Sequence, residues 1–259
     1  MKIAALQMSC TLGDREANLA RIEQAAVDAS QAQAKLLIAP ELAVNGYGAG
    51  DAFENLACPA EGEVAARLKA IAQRHGLAII AGFAERDGDL VYNSALFVDG
   101  TGPSAVYRKS HLYGDYEKKH FRPEAPKSIL FDLMGLRLGM LICYDVEFPE
   151  NVRRLAREGV DLVVVPTALP KGSSGEFIAN VMIRSRAFEN QVFLAYVNHC
   201  GSDGAFNYAG QSAIVAPDGA FLAKATAKGE VLLYADIDPA AYAASRADNS
   251  YLRDLDAGR

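Results

Sequence analysis

"LGMLICYDVEFPENVRRLA", Leu138–Ala156, decides the fold. An apolar run ends in Cys143. Asp145 and Glu147 follow, then Phe148-Pro149, then an Arg-rich segment of helical character. Proline suits the first turn of a helix, so the stretch predicts a buried strand handing over to a helix at Pro149. A cysteine that only packs in a core needs no polar neighbours, and this one has Tyr144, Asp145 and Glu147 beside it.

The same alternation extends in both directions. Upstream, "KIAALQM" is strand-like, and "DREANLARIEQAAVDASQAQA" places Leu19, Ile22, Ala26 and Ala29 at helical spacing behind a candidate N-cap, Asp14. "KLLIAPEL" is a short buried strand interrupted at Pro40. "EGEVAARLKAIAQRHG" is a helix stopping at Gly76. "LAIIAGFAE" and "LVYNSALFVD" flank Asp87-Gly88, a hairpin signal, and "SAVYRKSHL" is a further strand. Downstream, "DLVVVPTAL" is a buried strand, "GEFIANVMIRSRAFENQ" a helix, and "VFLAYVNHC", "QSAIVAP" and "EVLLYADI" are strands. "LLIAPELA" and "LVVVPTALP" echo one another, each an apolar run reaching a proline after a helix, which suggests an approximate internal repeat. Alternation at both ends with hairpin-like strands between predicts two stacked sheets covered by helices, an α/β sandwich with mixed strand pairing.

The 259 residues are expected to form one domain over 1–259, and 51% apolar content supports a packed core. A net charge of −6 disfavours nucleic-acid and anionic-membrane partners, which require a basic face. No stretch has the roughly 18 apolar residues that span a bilayer. "MKIAALQM" is too short for a signal-peptide core. Four cysteines, Cys10, Cys58, Cys143 and Cys200, are widely spaced and form no CxxC pair. Neither a disulfide framework nor a structural zinc site is expected, and the cytoplasm is the expected compartment.

Several residues could carry chemistry. Cys143 lies at the carboxyl end of a predicted strand, where open α/β sheets bind ligands, and a nearby helix N-terminus would favour its thiolate. Packing in the core is the alternative. Glu41 follows a buried strand and is either a solvated loop residue or a group at the mouth of the sheet. Lys109 lies in "VYRKSHL" and Glu117 in "GDYEKKHF", which taken alone reads as an exposed charged loop. "NGYGAGD" is a GxGxG without the dinucleotide fingerprint and reads as a flexible turn. His111 and His199 could pair with Cys143, but the flanking pattern of papain-type proteases is absent, as are HExxH and G-x-S-x-G.

Three blocks in fixed order, "APELAVNGY", "YRKSHLYGDYEKKHFRPE" and "GMLICYDVEFPENVRRLAREGVDLVVVPTAL", resemble the nitrilase superfamily of carbon–nitrogen hydrolases over nearly the whole chain. Within it the chain looks most like aliphatic amidases of the 5-aminopentanamidase and stereoselective amidase type. "FRPEAP" departs from the pattern, since many relatives carry Gly after that proline. The resemblance implies a four-layer α-β-β-α sandwich, usually dimeric. It also implies a Glu-Lys-Cys triad of Glu41, Lys109 and Cys143, a second glutamate at Glu117, and no cofactor or metal. A thiolate would attack the amide carbonyl and form a thioester. Glu41 would move the protons, while Lys109 and the Tyr144 N–H would face the oxyanion.

Tyr47, Phe121, Tyr144 and Thr167 adjoin these blocks and are candidate pocket walls. Asp145 and Glu147 are expected to hydrogen-bond backbone at the turn. Asp115 and Glu176 are candidates to receive a substrate ammonium group. The expected activity is release of ammonia from a small aliphatic amide, with ω-amino amides among the candidate substrates, by a homodimer. The rivals are an N-carbamoyl amino acid or β-ureido hydrolase, a nitrilase, a silent binding module of the same fold, and a nucleotide-binding protein using "NGYGAGD".

Overall fold

The computed structural model describes residues 1–257. In chain order its elements are β1 (Lys2–Gln7), α1 (Arg15–Gln31), β2 (Leu36–Ile38), α2 (Phe53–Leu56), α3 (Glu63–His75), β3 (Ala78–Asp87), β4 (Leu90–Val98), β5 (Ala105–Arg108) and α4 (Gly114–His120). There follow β6 (Leu130–Leu133), β7 (Leu136–Met140), α5 (Pro149–Arg157), β8 (Leu162–Thr167), α6 (Ser173–Phe177), α7 (Ile183–Asn190), β9 (Phe193–Asn198), β10 (Ala213–Val215), β11 (Phe221–Lys224), β12 (Val231–Asp236), α8 (Ala243–Asp248) and α9 (Tyr251–Ala257).

The strands form two six-stranded sheets, ordered β12-β1-β2-β3-β4-β5 and β6-β7-β8-β9-β10-β11. Read in that direction, both sheets have the same pairings: antiparallel, parallel, parallel, antiparallel, antiparallel. β2 and β8 occupy matching places, which accounts for the echo between "LLIAPELA" and "LVVVPTALP".

Strand periodicity builds the layers. In the first sheet Ile3, Ala5, Leu36, Ile38, Ile80, Ala95 and Phe97 face the second sheet in one core. Ala4, Leu6, Leu37, Ile79, Ala81, Leu96 and Val98 face the other way, onto Leu19, Ile22 and Ala26 of α1 and Val64, Leu68 and Ile71 of α3. Val152 and Leu155 of α5 and Ile183 and Ala187 of α7 cover the second sheet. The result is an α-β-β-α sandwich. Each large apolar side chain buried in this way contributes roughly 1.5–3 kcal/mol before conformational entropy is counted.

Local signals end the elements where expected. Asp14 Oδ1 accepts from the Ala17 N–H at 2.9 Å, Gly76 closes α3 at φ 65°, and α5 begins at Pro149. The predicted helix over 175–191 is divided into α6, a π-helical segment Ile178–Met182, and α7. Among the described residues no helix is long and apolar enough to cross a membrane.

Candidate active site

Glu41 stands three residues beyond β2, at the carboxyl end of the parallel strands. Its turn lies directly on β3. A Cβ at Gly82 would come within 2.2 Å of Leu42 N, 2.6 Å of Pro40 O and 2.7 Å of the Glu41 carbonyl carbon, so only glycine admits this approach. His199 Nε2 lies 2.6 Å from the Glu41 carbonyl oxygen, and since a carbonyl can only accept, Nε2 carries the proton. Burial lowers the His199 pKa, so the ring is held neutral.

Lys109 follows β5 and is fully buried. Its Nζ donates to Glu41 Oε1 at 2.7 Å and to Glu117 Oε1 at 2.7 Å. Asn93 Nδ2 gives Glu41 Oε1 a second bond at 2.7 Å. Glu41 Oε2 is buried and has no partner among the described residues. One oxygen of the carboxylate is therefore pinned and the other is free to exchange a proton. Glu117, which taken alone reads as part of an exposed charged loop, is buried on α4 because three donors satisfy it. Tyr47 Oη donates to its Oε1 at 2.8 Å and the Tyr113 N–H to its Oε2 at 2.8 Å, in addition to Lys109.

Cys143 begins a short 3₁₀ turn, Cys143–Glu147, that separates β7 from α5. Its φ is +46°, a left-handed conformation that costs energy in a residue with a side chain and recurs at functional sites. Asp145 holds this turn against the Lys109 segment. Its carboxylate accepts from the His111 N–H at 2.8 Å, Tyr107 Oη at 2.9 Å and the Ile142 N–H at 3.3 Å. That is the backbone-binding role expected of it, and it ties the first sheet to the second. Arg186 braces the other side, donating to the carbonyls of Val146 at 3.0 Å and Glu147 at 2.8 Å.

A cavity of about 270 Å³ opens beside Cys143 and Glu117. Cys143, Tyr144, Glu147, Glu117, Tyr47 and Tyr113 line one side. A single stretch lines the other, with Ala168, Leu169, Pro170, Ser174, Gly175 and Ile178. Tyr47 and Tyr144 are thus on the wall, while two other expected wall residues lie elsewhere. Phe121 is buried against Phe53, with ring centroids 4.8 Å apart, because its strand-like backbone turns it away behind α4. Thr167 is the last residue of β8, where it is buried and donates to the Val165 carbonyl at 3.0 Å. Asp115 and Glu176 are exposed and outside the lining. Glu147 does not hydrogen-bond backbone at the turn as expected, because the 3₁₀ turn directs its side chain into the cavity.

Asn93, Tyr113 and the 168–178 wall escaped sequence reasoning. Strand alternation in "LVYNSALFV" was the one available signal for Asn93, a polar residue at a buried position. "NGYGAGD" forms no phosphate cradle, since its Gly48 N–H meets the chain's own Asp203 carboxylate at 3.1 Å. Among the described residues no group of three or more His, Cys, Asp and Glu is arranged to hold a metal ion.

Burial raises the Cys143 pKa well above the ordinary thiol value, and Glu41 adds to this while Lys109 opposes it. The resting residue is therefore a thiol. This differs from the thiolate expected at a helix N-terminus, because burial of the sulfur is the dominant effect. Burial works against the charge of Lys109, but Glu117 and Glu41 outweigh it and raise its pKa well above the usual value. Burial raises the Glu117 pKa, and Glu41 adds to the effect against the pull of Lys109. Glu41 and Lys109 both act electrostatically on the neutral Cys143 thiol, and one oxygen of the Glu41 carboxylate is without a partner among the described residues, an arrangement that can form a nucleophile on demand.

The fold and this cluster are those of a hydrolase acting on carbon–nitrogen bonds, and the chain belongs to the carbon–nitrogen hydrolase family, whose pattern matches residues 2–247. It is 42% identical to a hydrolase encoded in the pqqF 5′ region of Pseudomonas protegens, over 98% of this chain and 88% of that one. It is 33% identical to an (R)-stereoselective amidase of a Pseudomonas species, over 98% and 91%. An amidase of the nitrilase superfamily from Nesterenkonia sp. AN1 superposes with a TM-score of 0.87 at 35% identity, covering 98% of this chain and 96% of its own. One structure of that enzyme contains butyramide, and another shows covalent addition of the acetamide moiety of fluoroacetamide at the active-site cysteine.

Proposed function

We propose that this carbon–nitrogen hydrolase is an amidase that cleaves small aliphatic amides to carboxylate and ammonia through a thioester on Cys143. The observation that carries the reading is the Glu41 carboxylate, with Oε1 held by Lys109 and Asn93 and Oε2 without a partner among the described residues, near enough to act electrostatically on the Cys143 thiol that lines the cavity. Glu41 Oε2 takes the thiol proton as sulfur attacks the carbonyl carbon. The oxyanion is met by the third N–H of Lys109 and by the Tyr144 N–H, which lies in the first turn of a helix and so has no intrahelical acceptor. Such donors are worth about 3–4 kcal/mol each in the transition state. Glu41 passes its proton to the departing nitrogen and ammonia leaves. Water then attacks the thioester, giving up a proton to Glu41, and the acid departs as the thiol is restored.

The small cavity supports short acyl groups, and the amide-bound structures of the Nesterenkonia amidase support the same class. The N-carbamoyl amino acid reading is less well supported, because among the described residues no arginine or histidine lines the cavity to receive a carboxylate, and Lys109 is already paired with Glu41 and Glu117. Four free thiols suit a reducing compartment such as the cytoplasm. Phe177 and Val181, exposed beside the wall stretch, support a homodimer that sedimentation would detect.

The test is ammonia release from short amides, nitriles and carbamoyl compounds, with Cys143→Ala as control. Amides are expected to be turned over, with an acyl adduct on Cys143 seen by mass spectrometry after quenching. Undiminished turnover by Cys143→Ala would remove the thioester, and carbon dioxide appearing with the ammonia would point to a carbamoyl substrate.

A further inference from the structure

Two carboxylates line the cavity, and they differ in how they are used. Glu117 is saturated by Lys109, Tyr47 and the Tyr113 N–H. Glu147 is half-buried, and its carboxylate has no hydrogen-bond or ion-pair partner among the described residues. The nearby Arg186 is occupied with the carbonyls of Val146 and Glu147 and with the carboxylate of Glu189 at 3.0 Å. Burial raises the Glu147 pKa, with Lys109 and Arg186 opposing the rise. A half-buried acid without a partner carries an unmet demand for a donor or a cation. Lys109 is fully buried and already paired with Glu41 and Glu117.

We propose that Glu147 selects substrates by charge, favouring amides that bear an ammonium group on the acyl chain and rejecting those that bear a carboxylate. Glu147 lies in the same short turn as the nucleophile, four residues on, so it acts on the acyl group of whatever amide reaches Cys143. The exposed Asp115 and Glu176 do not reach that space. The inference rests on the amidase reading and deepens it.

The test compares kcat/KM for three amides of matched length: 5-aminopentanamide, hexanamide, and the monoamide of glutaric acid. In the wild-type protein the cationic amide is expected to exceed the neutral one, and the anionic one to be poorest. Glu147→Gln keeps the shape and removes the charge. It is expected to lower the cationic-to-neutral ratio by about tenfold or more and to raise the anionic-to-neutral ratio, whatever happens to the absolute rates. Ratios unchanged by Glu147→Gln would overturn the proposal while leaving the amidase reading intact. If no amide is turned over, the amidase reading falls first. Calorimetry of pentylammonium and pentanoate binding to both proteins still decides the matter: equal preference in the two would end it, and loss of ammonium preference in Glu147→Gln would support it.

Discussion

Glu41 is a base with one oxygen tied and one free, and the two oxygens can be probed separately. Glu41→Gln keeps an oxygen for Lys109 and Asn93 but cannot accept the thiol proton. Ammonia release is expected to fall by roughly 10²–10⁴-fold with the far-ultraviolet circular dichroism unchanged. Lys109→Met acts differently. It leaves Glu41 and Glu117 facing one another in a fully buried site, so it is expected to cost about 3–5 kcal/mol in urea denaturation in addition to activity. Activity lost with no change in urea midpoint would show that the ammonium does not hold the two acids in place. At this scale the sequence made Glu41, Lys109, Glu117 and Cys143 readable as a set only through the order of three motif blocks. Each taken singly had a bland alternative. Glu147 was misread because its direction depends on a 3₁₀ turn inserted before α5, and no residue type announces that turn. Phe121 and Thr167 were misread because adjacency in sequence says nothing about which side of a backbone faces a cavity.

Among the elements, the parallel strands were readable from their apolar runs, and the β3–β4 hairpin from Asp87-Gly88. β6 and β11 were not, since four-residue strands at the sheet edges are only partly buried and lack a full apolar run. The break in the helix over 175–191 follows from tertiary packing, with Ile178 on the cavity wall. The contact between the Glu41 turn and β3 yields the sharpest prediction at this scale. Gly82→Ala puts a methyl group where three backbone atoms already stand within 2.7 Å, so the turn must move. Activity is expected to drop at least about tenfold, since misplacing a reacting group by even 1 Å is costly, while Gly88→Ala, at φ 57° in the hairpin turn with no atom within 4 Å of the added carbon, controls for backbone strain without a clash. Equal activity in Gly82→Ala and the wild-type protein would show that the turn need not be held there.

The whole molecule is two variations on one arrangement of six strands, and the reacting groups come from both. Glu41, Lys109 and Glu117 belong to the first sheet and its connections, Cys143 to the second, and Asp145 with Tyr107 ties them together. The buried thiols give the molecule a collective response to pH. Burial raises the pKa values of Cys10 and Cys143 well above the usual range and that of Cys200 to about 11. An unfolded chain releases these protons near about pH 8.5. Between about pH 8.5 and 11 the folded state therefore binds more protons than the unfolded one, and stability falls as pH rises, by up to about 1.4 kcal/mol per pH unit for each thiol. The urea midpoint is expected to drop from pH 8 to pH 10, and to drop less in Cys10→Ser. A midpoint insensitive to pH in the wild-type protein would mean that the thiols are not held protonated. The wall opposite the nucleophile has a separate consequence. Because it is a single stretch from Ala168 to Ile178, of which only the Ala168 backbone bonds to Cys143, grafting a loop of another length after Ala168 is expected to change which acyl chains are admitted while the reaction stays the same, a route by which one scaffold can diversify.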